Sequence, residues 1–177
     1  MKKTLIQRIE VGSGGAASIS FVSVGDIPSD YTDLYLVLSG RSTDATTFHY
    51  VNVSFNGSTT NRSGRQLYGT GAATGSQALT NGNTALISAN ATTSNTFGSV
   101  GIYIPNYTSS NAKSASIDGV SENNATASYQ TIDAFLWNDT SAITSITLTL
   151  SGGNFAQYSS ASLYGVTAGN DGITTVS

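Results

Sequence analysis

At 177 residues and 18.2 kDa the chain has the length of one domain, or of one domain with a short extension. A net charge of −3, a pI near 4.7 and only seven Lys and Arg residues exclude nucleic-acid packaging through clustered phosphate contacts. The absence of cysteine excludes disulfides and thiolate metal sites. Ser, Thr, Asn and Gly dominate the composition and work against long helices, the first three by competing for backbone hydrogen bonds and Gly by its entropy. Charged residues are only 10%, so self-repulsion is weak, and the apolar residues fall in patterned blocks, which argues for an ordered chain.

The opening Met1-Lys2-Lys3-Thr4-Leu5-Ile6 imitates the basic start of a signal peptide, but its apolar run fails at Gln7, Arg8 and Glu10. The expectation is synthesis in a host cytoplasm without an export signal. No stretch approaches the ~18 apolar residues of a membrane span. Leu5 to Val11 reads as a mixed first strand ended by Gly12-Ser13-Gly14-Gly15, and Ser18 to Val24 sets Ile19 and Phe21 against Val22 and Val24. A turn cluster, Gly25 to Asp30, follows, with Pro28 barred from a central ladder. Leu34 to Arg41 alternates Leu34, Leu36 and Leu38 against Tyr35 and Val37. Tyr50 to Phe55 alternates Val51, Val53 and Phe55 and runs into Asn56-Gly57, the strongest hairpin signal in the chain. From Ser58 to Gly82 periodicity is weak, and this stretch reads as a long loop of the kind that carries function or is ordered by a partner.

Strands are expected again at Thr84 to Ser88, Gly98 to Ile104, Lys113 to Val120, Ser128 to Trp137, Ile143 to Leu150 and Ser160 to Thr167. In Ser128 to Trp137 both faces are apolar, Ile132, Ala134 and Leu136 opposing Tyr129, Phe135 and Trp137. About ten short strands without a helix predict an all-β fold, an antiparallel β-sandwich that is jelly-roll-like with about 8–10 strands. The expected organisation is an N-terminal strand or arm over residues 1–15, free to reach a neighbour, and a single sandwich domain over residues 16–177.

Residues able to carry chemistry are few. His49 is the sole histidine, so a Ser-His-Asp arrangement would need it as base; beside Tyr50 at a strand entrance it reads as a partly buried structural residue. Asp118, Glu122, Asp133 and Asp139 are the candidate carboxylates for glycoside chemistry, and nothing in their spacing brings a pair together. Asp26, Asp30 and Asp33 bracket Pro28 and lack the glycine and distal glutamate of a calcium loop, so they read as turn residues. Arg62 and Arg65 form a local basic pair. Tyr50, Tyr68, Tyr103, Tyr107 and Tyr129 suit sugar stacking or interface pockets, most of them as half-buried sheet residues. The expectation is a chain that is not an enzyme and carries no cofactor or metal.

Several segments resemble, in order, a family of small structural proteins from tailed phages: Ile27-Pro28-Ser29-Asp30-Tyr31-Thr32-Asp33-Leu34 leading to Arg41, then Phe55-Asn56-Gly57, then Ile104-Pro105-Asn106-Tyr107 before Lys113-Ser114. The most specific part closes the chain: Leu136-Trp137-Asn138-Asp139-Thr140-Ser141-Ala142-Ile143-Thr144-Ser145-Ile146-Thr147-Leu148, then Gly153-Asn154-Phe155 and Ser162-Leu163-Tyr164-Gly165. The poorest match runs from about Ser58 to Gly98. The resemblance implies a virion β-sandwich with no catalytic residues to transfer, and leaves head against tail open.

The expected role is therefore a capsid decoration, or cement, protein on the virion surface, a homo-oligomer expected to be a trimer bound to the major capsid protein, without nucleic acid or membrane. A jelly-roll trimer suits a local threefold axis of the lattice. The alternative is a receptor-binding module of a tail fibre or spike that grasps host glycan. Interface residues are expected at Arg41, Arg62, Arg65, Tyr68, Tyr107 and Trp137, with the N-terminal arm and the long middle loop carrying the contacts.

Overall fold

The computed structural model describes residues 2–21, 27–124 and 128–167. Successive side chains of an extended chain point to opposite sides, so each alternating block buries one face. Among the described residues these blocks form β1 (Lys2–Glu10), β2 (Ser18–Phe21), β3 (Asp33–Gly40), β4 (Phe48–Phe55), β5 (Arg62–Gly69) and β6 (Thr74–Leu79). They continue as β7 (Asn83–Ser88), β8 (Gly98–Pro105), β9 (Lys113–Ser121), β10 (Tyr129–Trp137), β11 (Ile146–Leu150) and β12 (Ser160–Thr167). Leu34, Leu36 and Leu38 of β3, Val51, Val53 and Phe55 of β4, Val100, Ile102 and Ile104 of β8, and Ile146 and Leu148 of β11 meet in one core.

That core lies between two antiparallel sheets, an eight-stranded one in the order β1-β12-β3-β8-β9-β10-β5-β6 and a four-stranded one in the order β2-β11-β4-β7. The expected antiparallel β-sandwich is what the chain forms. With the hairpins β5–β6 and β9–β10 set aside, β1-β12-β3-β8 faces β2-β11-β4-β7, the strand order of a jelly roll built from two Greek keys. The hairpins are insertions into that plan. β9 continues the large sheet from β8, β10 from β9, and β5 and β6 follow, so the sheet gains a four-strand extension on one side. β7 lies under this extension, in contact with β8, β9, β10 and β5. The layers approach so closely there that a Cβ on Gly119 would stand 2.3 Å from the Ala85 Cβ.

Several expectations change. The stretch from Ser58 to Gly82, expected as one long loop, contains β5 and β6. Its pattern is inverted, because Gly64 and Gln66 point inward while Arg65 and Leu67 point to solvent. Asn56 and Gly57 do form a tight turn with positive φ, closed by the Ser58 amide donating to the Phe55 carbonyl at 2.8 Å. The turn does not join a hairpin; it carries the chain from β4 in one sheet to β5 in the other. The Asn56 side chain instead pins the approach to β11, donating to the Ala142 carbonyl and accepting from the Thr144 and Ser145 amides. β11 starts three residues later than expected because the Ile143 amide donates to the Tyr107 carbonyl, outside the ladder. Of the expected N-terminal strand or arm, Lys2–Glu10 is an edge strand, laid along β12 from Lys2↔Thr167 to Glu10↔Ser160. Val22 to Val24 of the second expected strand, with Gly25 and Asp26 of the turn, lie outside the described residues.

Candidate docking surface

The two inserted hairpins give the large sheet an outer face that the jelly roll alone would lack. In β9, β10 and β5 every second residue is exposed. Register places Ile132 directly opposite Leu67 on β5 and Asp118 on β9, Ala134 opposite Arg65 and Ser116, and Leu136 opposite Ser63 and Ser114. Val120 flanks Gln130, and Ser76 and Ala78 of β6 extend the rows. Leu67 and Ile132 are 61% and 65% exposed, and Val120 and Leu136 join them in the same patch. Shallow depressions of about 830 and 600 Å³ run over it, sharing Leu67, Ser76 and Ile132.

Large aliphatic side chains held side by side on a rigid sheet and left in water mark a contact surface. Covering Leu67 and Ile132 alone would contribute roughly 2–4 kcal/mol from the area removed from water. The surface carries one acidic and one basic side chain, Asp118 and Arg65, beside the aliphatic ones. Between Arg65 and Lys113 the sequence has no Asp, Glu, Lys or Arg, so β6 is a neutral edge strand. The opposite edge, β1, carries Lys2, Lys3 and Arg8 and a bulge between Leu5 and Gln7, the devices that discourage a strand from pairing with another chain.

No family model, curated protein or solved structure matches the chain.

Only part of the expected interface lies on this surface. Arg65 is exposed in its middle, and Tyr68 is half-buried at its margin, its ring 6.4 Å from Tyr129. Trp137 and Tyr107 are core residues, at 1% and 0% exposure, because they face the opposing sheet and the Pro28 segment, whose carbonyl accepts the Tyr107 hydroxyl. Arg62 is spent on the chain's own crossover, donating to the Val53 and Thr59 carbonyls at 2.7 and 2.8 Å. Arg41 is also turned inward. Its guanidinium reaches the carbonyls of Thr92, Thr93 and Thr96 and two threonine hydroxyls, and so holds the β7–β8 connection closed.

Arg41→Met is expected to cost about 2–4 kcal/mol, since several charge-assisted hydrogen bonds disappear together. Arg41→Lys should recover only part of that, because one ammonium cannot span three carbonyls. Urea unfolding gives the total, and hydrogen exchange should show the loss at residues 92–97.

Leu67, Val120, Ile132 and Leu136 are not among the residues expected at an interface from sequence. The available signal was β10, apolar on both faces although it belongs to a two-layer fold.

The four candidate carboxylates are kept apart. Asp118 points outward from β9 while Asp133 points inward from β10, and Glu122 and Asp139 lie beyond opposite ends of that hairpin. Glu122 accepts from the Asn124 amide and Asp139 from the Ser141 amide, as turn residues do. Asp133 is the exception in chemistry. It is 2% exposed, accepts from the Gln66 amide at 2.9 Å, and has its other oxygen without a partner among the described residues. Burial pushes its carboxyl up to about 6, against the opposing pull of the Gln66 hydrogen bond. Among the described residues no group of three or more His, Cys, Asp or Glu side chains is placed to hold a metal ion. His49 is half-buried as expected, and it has partners on both ring nitrogens, Ser151 and Asp44.

Proposed function

We propose that the protein is a structural component of a tailed-bacteriophage virion, a capsid decoration protein that sits on the outer surface of the head as a trimer and stabilises it against the major capsid protein. Its role in this reading is building, in the assembled particle. The observation that supports it best is the aliphatic outer face of β5, β9 and β10, which two insertions add to a jelly roll. Leu67 and Ile132 contribute nothing to the core, so their burial against another subunit is the simplest account of their presence. Cyclic association lets the same face recur around one axis.

The test is binding to heads. Purified protein should co-sediment with empty expanded heads and raise their thermal stability, and virions should carry hundreds of copies. A few copies per virion, no binding to heads and capture by host glycan would overturn the reading in favour of a tail receptor module. One feature favours that second reading: Tyr164, Tyr35 and Tyr103 stand directly opposite one another across β12, β3 and β8. The row is partly occupied, since the Lys3 ammonium lies 3.7 Å above the Tyr35 ring and the Tyr103 hydroxyl donates to Asp33.

Ile132→Lys separates folding from association. A lysine on an exposed strand position should change monomer stability by no more than about 0.5 kcal/mol. It should nevertheless shift sedimentation velocity to the monomer and abolish binding to heads, because burying the ammonium together with the Asp118 carboxylate opposite it costs more than their attraction returns in an apolar contact.

A further inference from the structure

Where β4 enters the small sheet and β11 leaves it, three side chains from separate segments form a hydrogen-bonded chain. Ser151 follows β11 directly and is exposed; its amide donates to the Tyr50 carbonyl at 3.0 Å, which fixes its position beside β4. Its Oγ lies 3.0 Å from His49 Nδ1, and His49 Nε2 lies 2.5 Å from Asp44 Oδ2. The imidazole is 15% exposed and held on two sides. Gly152 is part of the fit, because a Cβ there would stand 2.3 Å from His49 Cε1.

The hydrogen bonds assign the tautomer. The Asp44 carboxylate can only accept, so His49 Nε2 carries a hydrogen and Nδ1 of the neutral ring faces the Ser151 hydroxyl, whose oxygen also accepts from the Tyr50 amide at 3.0 Å. Nδ1 then accepts, and Nε2 carries the hydrogen given to Asp44. The Asp44 carboxyl is held below its ordinary range, first by the His49 hydrogen bond and then by the Ala45 amide. A hydroxyl facing a basic nitrogen, backed by a carboxylate on the far nitrogen, is the arrangement that activates serine as a nucleophile. The amides of Gly152 and Gly153, next in the chain, donate no hydrogen bond among the described residues.

We propose that Ser151, His49 and Asp44 constitute an acyl-transfer site that hydrolyses carboxylic esters, beside the building role of the protein and independent of it. Ser151 Oγ bonds to the ester carbonyl carbon while its proton passes to His49 Nδ1 and the carbonyl π pair moves onto oxygen. Collapse breaks the bond to the alcohol oxygen, which leaves with the proton from Nδ1. Water then attacks the acyl-serine, gives a proton to Nδ1, and collapse returns that proton to Oγ with release of the carboxylic acid. Asp44 keeps the Nε2–H in place throughout.

A fluorophosphonate and para-nitrophenyl acetate are the probes, applied to the folded wild-type chain with the labelled residue located by peptide mass mapping. Ser151 should be labelled about a hundredfold faster than any other exposed serine, the range a positioned general base supplies. Ester turnover should vanish in Ser151→Ala, and labelling should fall by a similar factor in His49→Gln, a variant checked for an unchanged melting temperature. Labelling of wild-type Ser151 no faster than of other serines would overturn the proposal even if both variants failed to fold. Undiminished labelling in folded His49→Gln would do the same.

Discussion

Replacing Trp137 by alanine is expected to lower the free energy of unfolding by about 3–5 kcal/mol. The indole closes the core end of β10, 5.6 Å from the Phe55 ring and inclined at 65° to it, and Phe55 meets Phe135 edge-on at 5.9 Å. Phe55 comes from the small sheet, Phe135 and Trp137 from the large one, so the trio joins the two layers. Removing one ring leaves the other two facing a void that a sheet backbone cannot collapse to fill. Phenylalanine at position 137 should behave differently. The Trp137 Nε1–H is buried without a partner among the described residues, a defect worth about 1–3 kcal/mol. Trp137→Phe removes that orphan donor while keeping a ring in place, so its net cost should stay below about 1.5 kcal/mol. Urea unfolding followed by far-ultraviolet circular dichroism compares the variants; equal losses would show that the indole donor is satisfied.

Stability should also fall as pH rises from about 4 to 7, the reverse of ordinary acid denaturation, and Asp133 is the cause. Its folded carboxyl titrates near 6 against an ordinary 3.8, so between those values the folded chain holds a proton that the unfolded chain has lost. The stabilisation is complete below the lower value and is gone once pH has passed the upper one. The difference is worth about 3 kcal/mol. Asp133→Asn keeps an acceptor for the Gln66 amide and cannot ionise. It should therefore gain about 2 kcal/mol at pH 7 and flatten the pH profile. Denaturant midpoints at pH 4.5, 6 and 7.5 decide the matter, and a variant with the wild-type slope would show that another group governs it.

Where side-chain pattern and burial agree, the fold was legible. Leu34-Leu36-Leu38, Val51-Val53-Phe55 and Val100-Ile102-Ile104 are apolar inward and polar or aromatic outward, so alternation alone gives strand, face and core. β5 and β6 were not legible because their inward positions are filled by Gly64, Gln66 and Leu79, and a glutamine paired with Asp133 on the neighbouring strand cannot be told from a loop residue. The docking surface was hidden for the same reason. Leu67 reads as core by type, yet it points to solvent, and only the β5–β10 register shows that it adjoins Ile132. Arg41, Tyr107 and Trp137 were expected at an interface on chemistry that suits both settings, since fork-shaped donors and large rings serve interiors as well as contacts. Ser151 and Asp44 lie far apart in the chain from each other, and only the pairing of β11 with β4 brings the serine to His49.

The pairing of β1 with β12 has a consequence for biogenesis. Among the described residues Lys2–Glu10 pairs only with Ser160–Thr167, about 150 positions further along the sequence. Ribosomes deliver the first strand long before the last, so during translation β1 must wait unpaired, and β3 lacks its β12 neighbour for the same interval. Closure across so many residues makes for slow maturation by topology alone. Lys2, Lys3 and Arg8 discourage the waiting strand from pairing with another chain in that interval.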